Sequence, residues 1–270
     1  WVRTVACTGE VTLIWARGQE CGTLEAMRIV VCVKHVPDMQ SERRFEGGRL
    51  VRGEDDVLNE LDENAIEAAV QLKESEEDAG REAEVVALTM GPEDAEDSLM
   101  RALQMGADRA YIVSDEFLEG SDVITTASVL SVAIAKISEE CGPVDLVVTG
   151  MASLDAMTSM LPGALAAKAH MPLLGLARTL SVADGVVTIE RSVDGYTETL
   201  RAALPAVVSV TDQINEPRYP AFAAMKAARK KPLDQWGIDD LVEVPGGEAL
   251  VMRRALTSVT FSEENVRDGS

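Results

Sequence analysis

Four apolar, β-branched runs punctuate this chain: Ile29–Val36, Glu84–Met90, Val144–Thr149 and Ala206–Thr211. A strand that is apolar on both faces must be covered on both faces. Parallel sheets wrapped by helices provide that environment. Between the runs lie segments with helical spacing. Asn59 opens one, with Asp62 three residues on as a capping-box variant and Ile66, Ala69 and Val70 on one face. Gly91-Pro92 turns the chain into a second helix, Glu93–Met105, with Gly106 placed to end it. A short strand, Ala110–Val113, precedes a helix that Ser121-Asp122 opens and that runs through Ile137; another helix spans about 158–170. The order βαβαβαβα predicts an α/β fold with a doubly wound, mostly parallel sheet.

One interruption is expected. Ala177–Val182 and Val186–Val193 alternate around Ala183-Asp184-Gly185, the pattern of a β-hairpin with an Asp-Gly turn, and Thr197–Ala202 extends the same patch. After the return strand, residues 234–270 read as a loose C-terminal arm. Residues 1–26 do not match the rest of the chain. The chain opens on Trp1, whereas Met27 begins MRIVVCVKHVP, so 1–26 reads as a misassigned start or non-native leader, and 27–233 as the nucleotide-binding domain. Glu10 and Arg17 interrupt any signal-peptide core.

Charge excludes several functions. A net charge of −21 is wrong for a nucleic-acid partner or an anionic membrane surface. No apolar stretch is long enough for a membrane span. Cys7, Cys21, Cys32 and Cys141 form no CxxC, and His35 and His170 are the only histidines, so neither a metal site nor a disulfide framework is expected, and a reducing cytosol is the expected compartment.

Open α/β sheets bind ligands at the carboxyl ends of their strands, where the strand order reverses. Here those ends carry VCVKHVPD, Met90-Gly91-Pro92 and Gly150-Met151-Ala152-Ser153-Leu154-Asp155. Gly150 either lets a phosphate approach backbone N–H groups or merely makes a tight turn; spacing alone leaves both open. There is no GxxxxGK[ST], no GxGxxG and no GxSxG, and no acid–base pair that suggests covalent chemistry. Catalytic residues are therefore not expected.

Four motifs, in order, carry a resemblance. VCVKHVPD, LNELDENAIEAAVQLKE, MGPEDAEDSLMRALQMGADRA and INEPRYPAFAAMK are similar to segments of electron-transfer flavoprotein β subunits, most of all the bacterial Fix-type branch. The resemblance spans about 27–233. It implies an electron carrier that is not itself an enzyme. It implies a heterodimer with an α subunit that holds most of the FAD, and one AMP buried in this chain. It places the nucleotide against Cys32, Asn59, Glu60, Leu61, Asp62, Met90, Gly91, Gly150, Met151, Asp155 and Thr158, with Cys32 and Met90 acting through backbone and packing. Two departures stand out: Ala152 replaces a family glutamine, with apolar Met157 and Met160 following, and Ser192 stands where many members have a glutamate that helps position the flavin domain.

The same resemblance makes the segment after NEPRY a docking loop for flavin dehydrogenases such as acyl-CoA dehydrogenases. Phe222 is the anchor, Arg218, Tyr219, Met225 and Lys226 flank it, and the basic run to Lys231 faces acids on a partner. Two alternatives remain: a bifurcating variant with a second FAD in place of AMP, which the apolar loop disfavours, and a free-standing adenine-nucleotide-binding protein.

Overall fold

Successive residues of the first strand point into different cores. The computed structural model describes residues 26–46, 49–53 and 55–250. In strand β1 (Met27–Cys32), Ile29 and Val31 pack with the apolar faces of helices α1 (Glu60–Asp78) and α2 (Glu96–Met105). Val30 and Cys32 pack instead with α3 (Val123–Cys141) and α4 (Leu161–Ala169). Two cores on one sheet are the physical content of a doubly wound fold, and they explain why β1 carries no polar alternation.

The remaining strands of the main sheet are β2 (Ala83–Met90), β3 (Arg109–Val113), β4 (Leu146–Gly150), β5 (Leu173–Ala177), β6 (Ala206–Val210) and β7 (Leu233–Trp236). Their spatial order is β7-β3-β2-β1-β4-β6-β5, with every neighbouring pair parallel. The chain builds outward from β1 through β2 and β3, then returns to lay β4 on the other side of β1. The strand order therefore reverses between β1 and β4, where Cys32 lies opposite Thr149.

The structure differs from the sequence-based expectation in four places. The run Ile29–Val36 is not one strand. It breaks at Val33–Lys34, where the Lys34 amide turns away to the Asp62 carboxyl at 2.9 Å, and His35–Pro37 then pairs antiparallel with Asp56–Leu58. Asn59 sits at the N-cap of α1, but its side chain does not cap the helix, so the expected capping box does not form. Ala177 closes β5 of the main sheet rather than opening the hairpin; the antiparallel patch starts at Thr179 and comprises Thr179–Ala183, Val186–Val193 and Tyr196–Ala203. Its Asp184-Gly185 turn has positive φ at both residues, 52° and 71°, as a two-residue hairpin turn of this type requires.

The fourth difference is at the C-terminal side. The segment read as loose supplies β7, whose Trp236 stacks on Tyr111 with ring centroids 4.2 Å apart. Ile238, Leu241, Val244 and Leu250 continue into the second core. The short, half-polar sequence LDQW hides an edge strand because Asp234 and Gln235 are exposed and only Trp236 is buried, so no continuous apolar run marks it. Among the described residues, no helix is long and apolar enough to cross a membrane. The reading of 1–26 as a leader, and the residues from 251 on, lie outside the described residues but for Ala26.

Candidate functional site

At the reversal of strand order, the N-terminus of α1 is pressed against the end of β4. The contact leaves room for no side chain at position 150. A Cβ there would lie 2.5 Å from the Asp62 Oδ1 and 2.8 Å from the Leu61 carbonyl oxygen. The glycine therefore accommodates the chain's own helix. Its φ is ordinary, so space rather than conformation is what it supplies.

Asn59 joins the two sides. Wholly buried, it donates from Nδ2 to the Ala152 carbonyl at 2.9 Å and accepts at Oδ1 from the Leu154 amide at 3.0 Å. Its Oδ1, the atom that would cap α1, is engaged 95 residues away in sequence. This clasp shapes the loop that runs from Gly150 to α4.

Asp62, also buried, accepts the Lys34 amide. Burial pushes its carboxyl up to about 7, against the opposing pull of hydrogen bonds from Asn59 and from the Lys34 and Gly150 amides. The folded chain thus holds a proton at Asp62 that the unfolded chain, titrating near 3.8, has already lost. The stability tied to that proton is complete below about pH 4 and vanishes as pH rises through 7. Asp62→Asn removes this titration. The stability of the native chain relative to the Asn variant should fall steadily between pH 4 and 7 in urea unfolding, and a pH-independent gap would refute the buried protonated carboxyl.

Asp155 lies on the far side of Lys34. The Lys34 Nζ donates to its Oδ1 and Oδ2 at 3.0 and 2.8 Å and approaches Ser153 Oγ at 3.4 Å. The Arg52 guanidinium bonds the same carboxylate and also donates to the His35 carbonyl at 3.4 Å. Burial raises the Asp155 carboxyl, but Lys34, Ser153 and Arg52 outweigh it and hold it at about 2.

Of the expected nucleotide residues, the structure brings together Asn59, Leu61, Asp62, Gly150 and Asp155, with Cys32 on the adjoining strand end. Met90 and Gly91 end β2, one strand further out, and the Gly91 amide is turned to Val113. Glu60 and Thr158 are exposed and Met151 is half-buried, outside the hydrogen-bonded cluster. Lys34, Arg52 and Ser153 were not among the expected site residues. For Lys34 a signal existed, a cation in an apolar strand-end motif; for Arg52 there was none.

The segment expected to dock, from Ile214 on, is clamped to α1. Asn64 donates from Nδ2 to the Asn215 carbonyl and Oδ1, and Asn215 donates from Nδ2 to the Asn64 carbonyl, each at 3.1 Å. The Arg218 guanidinium bonds Glu67 at 2.7 Å and Glu74 at 2.6 Å. Beyond that clamp, Tyr219 is 85% and Phe222 80% exposed, and Arg101 sits 5.7 Å over the Tyr219 ring. Phe222 begins the short helix α5 (Phe222–Ala228), on which Met225 is half-buried and Lys226 exposed. Lys231 does not face outward with the other basic residues. Its ammonium caps α2, donating to the Leu103 carbonyl at 3.0 Å and to that of Ala107.

Comparison with known proteins agrees with this architecture. Residues 48–241 match the electron transfer flavoprotein domain. The chain is 42% identical over 206 residues to the electron transfer flavoprotein subunit beta of Mycobacterium leprae, covering 75% of this chain and 76% of that one. It is 36% identical over 257 residues to protein FixA of Azorhizobium caulinodans, covering 88% and 90%. It is 33% identical over 218 residues to the caffeyl-CoA reductase-Etf complex subunit CarD of Acetobacterium woodii, covering 80% of each. A parallel sheet with this switch point, an NEPRY segment clamped to α1 and these matches together place the chain in the electron-transfer flavoprotein family, among its β subunits.

Proposed function

We propose that this chain is the β subunit of a heterodimeric electron carrier. It shares one FAD with an α subunit that makes most of the flavin contacts. It holds one AMP at its own switch point and passes electrons between flavin dehydrogenases, such as acyl-CoA dehydrogenases, and a further oxidoreductase. The observation that carries this reading is the docking loop: a large aromatic side chain held almost fully in solvent by a rigid base. An aromatic side chain presented in this way is suited to fill a pocket on a partner.

The switch point fits an adenine nucleotide. Thr149 Oγ1, at the end of β4, is the one buried side-chain polar atom among the described residues without a hydrogen-bond partner. A hydroxyl left in that state favours a ligand that offers one. Met160, the N-cap of α4, makes no side-chain cap, next to an exposed stretch from Ala156, so the amides of the first turn other than Pro162, which has none, suit an anion. Cys32 stays a buried thiol, pushed up to about 12 by burial and Asp62, and contributes shape rather than reactivity.

Co-expression with its α-type partner, followed by release and counting of bound nucleotides, tests the reading. One FAD and one AMP per dimer is the expected result. Two FAD and no AMP would instead assign a second flavin to this chain. A chain that forms no dimer and carries no flavin would overturn the proposal in favour of a free-standing nucleotide-binding protein.

The docking role has its own test. Phe222→Ala should weaken binding to the partner dehydrogenase by about 2 kcal/mol, roughly 30-fold, as loss of a central aromatic anchor does. Its melting temperature should not move, because the ring makes little contact with its own chain. A drop in melting temperature with unchanged docking would show that the ring serves the fold.

A further inference from the structure

Helix α5 is held by little of its own. It has seven residues, fewer than the about 12 that an isolated helix needs in water, and of its side chains only Ala228 is buried, in the first core. Phe222 opens this helix and faces solvent. The direction in which its ring leaves the surface therefore depends on what fixes the two ends of the segment. Upstream, Arg218 grips Glu67 and Glu74 of α1. Downstream, the Lys230 and Lys231 amides bond the Ala227 and Ala228 carbonyls at 3.0 Å, and the Pro232 carbonyl then accepts the Ala110 amide at the edge of the sheet.

Lys231 differs from its basic neighbours. Arg229 and Lys230 are exposed, whereas Lys231 is half-buried and spans from the end of α5 to the end of α2. The backbone of α2 prepares its seat. As that helix ends, the Gly106 and Ala107 amides both bond the Ala102 carbonyl, at 3.2 and 3.1 Å, so the Ala107 amide does not take the Leu103 carbonyl four residues before it. The Lys231 ammonium bonds the Leu103 carbonyl at 3.0 Å and also that of Ala107. Burial pulls this ammonium below the usual lysine range, with Asp108 opposing the shift and Lys73 adding to it. Its acceptors are backbone atoms, fixed in place by α2 and unable to follow a side chain that moves.

We propose that Lys231 is a positioning residue for docking: its ammonium pins the end of α5 to α2 and so fixes the direction in which Phe222 is presented to the partner. The inference rests on the docking reading above and names what sets the geometry of that site. Helix α2 meets the segment at its other end as well, where Arg101 lies 5.7 Å over the Tyr219 ring. With the ammonium in place, α2 is a platform under both ends of the presented surface. Without it, α5 keeps one buried methyl group and can swing about Ala228. Phe222 must then be ordered at each encounter, which weakens binding although no contact with the partner has been removed.

The experiment measures docking of the α–β heterodimer to an acyl-CoA dehydrogenase that the wild type binds, by calorimetric titration, alongside urea unfolding. Lys231→Met keeps the apolar stem and removes the donors. It should weaken docking by about tenfold and leave the urea midpoint nearly unchanged, since carbonyls at a helix end can turn to water. In a Phe222→Ala background the same change should weaken docking by less than about twofold, because no ring is left to aim. The salt dependence of docking should match that of wild type, as a residue without a partner contact requires. Equal losses with and without Phe222 would overturn the proposal. So would a flattened salt dependence, which would make Lys231 a direct electrostatic contact. A lower midpoint with unchanged docking would overturn it too, leaving Lys231 a support of the fold. Phe222→Ala docking as tightly as wild type would bring down the docking reading itself, and the positioning role with it.

Discussion

Gly150→Ala should destabilise the chain by about 3 kcal/mol, the upper end of what one added methyl costs in a packed interior. The added carbon would meet the Leu61 carbonyl, which is backbone at the start of a 19-residue helix, and Asp62 Oδ1, which is buried and hydrogen-bonded. Neither can rotate away. Relief requires α1 to move off β4, and that movement also breaks the Asn59 clasp on the 152–154 segment. The urea midpoint should therefore fall, and the proposed AMP site should lose its nucleotide with it. Gly163→Ala is the control. In α4 the nearest atom to its Cβ would be Leu173 Cδ2 at 3.9 Å, an ordinary contact, and an alanine inside a helix should be neutral or stabilise by up to about 1 kcal/mol. If the two substitutions have equal effects, close approach of α1 to β4 is not what Gly150 provides.

The contrast between those two glycines shows which features could be read from the sequence. Strand and helix existence was legible because burial on both faces writes itself into consecutive residues, as in Ile29–Val31 or Val147–Val148. The Asp-Gly turn was legible because two positive φ angles in a row restrict residue type. Contacts that bind distant segments were not. The break at Val33–Lys34 depends on a carboxyl 28 residues away, and the Asn59 clasp spans 93 and 95 residues. Asn59 suits a helix start and a cross-loop clasp equally well, so residue type identified the position and misassigned its hydrogen bonds. Arg52 lies in a polar segment rich in charges, where no periodicity distinguishes a guanidinium that turns inward. Strand β7 escaped because its middle residues, Asp234 and Gln235, are exposed and write no apolar run into the sequence.

Arg218→Ala should cost about 2–3 kcal/mol of stability, below the range for a fully buried pair because the guanidinium is one-third exposed. The loss comes mainly from what stays behind. The Glu67 side chain is 5% exposed, and burial would raise its carboxyl were it not for the Arg218 fork and Gln71, which together lower it. Without Arg218 the buried charge has lost its counter-ion, and Glu74 its partner. Adding Glu67→Gln to the alanine variant removes that charge and should recover about half of the loss or more, since deleting both members of an ion pair is far less harmful than deleting one. Acidification toward pH 5 should likewise narrow the gap between wild type and Arg218→Ala, because the orphaned Glu67 can then take up a proton. Docking should not recover with stability. Arg218 fixes the base of the loop that presents Phe222, and a floppy loop pays its ordering cost on every encounter. The double variant is therefore expected to fold nearly as well as wild type yet bind the proposed partner dehydrogenase about tenfold more weakly. Recovery of docking along with stability would mean that Phe222 is held by α5 alone and that the clamp on α1 serves the fold only.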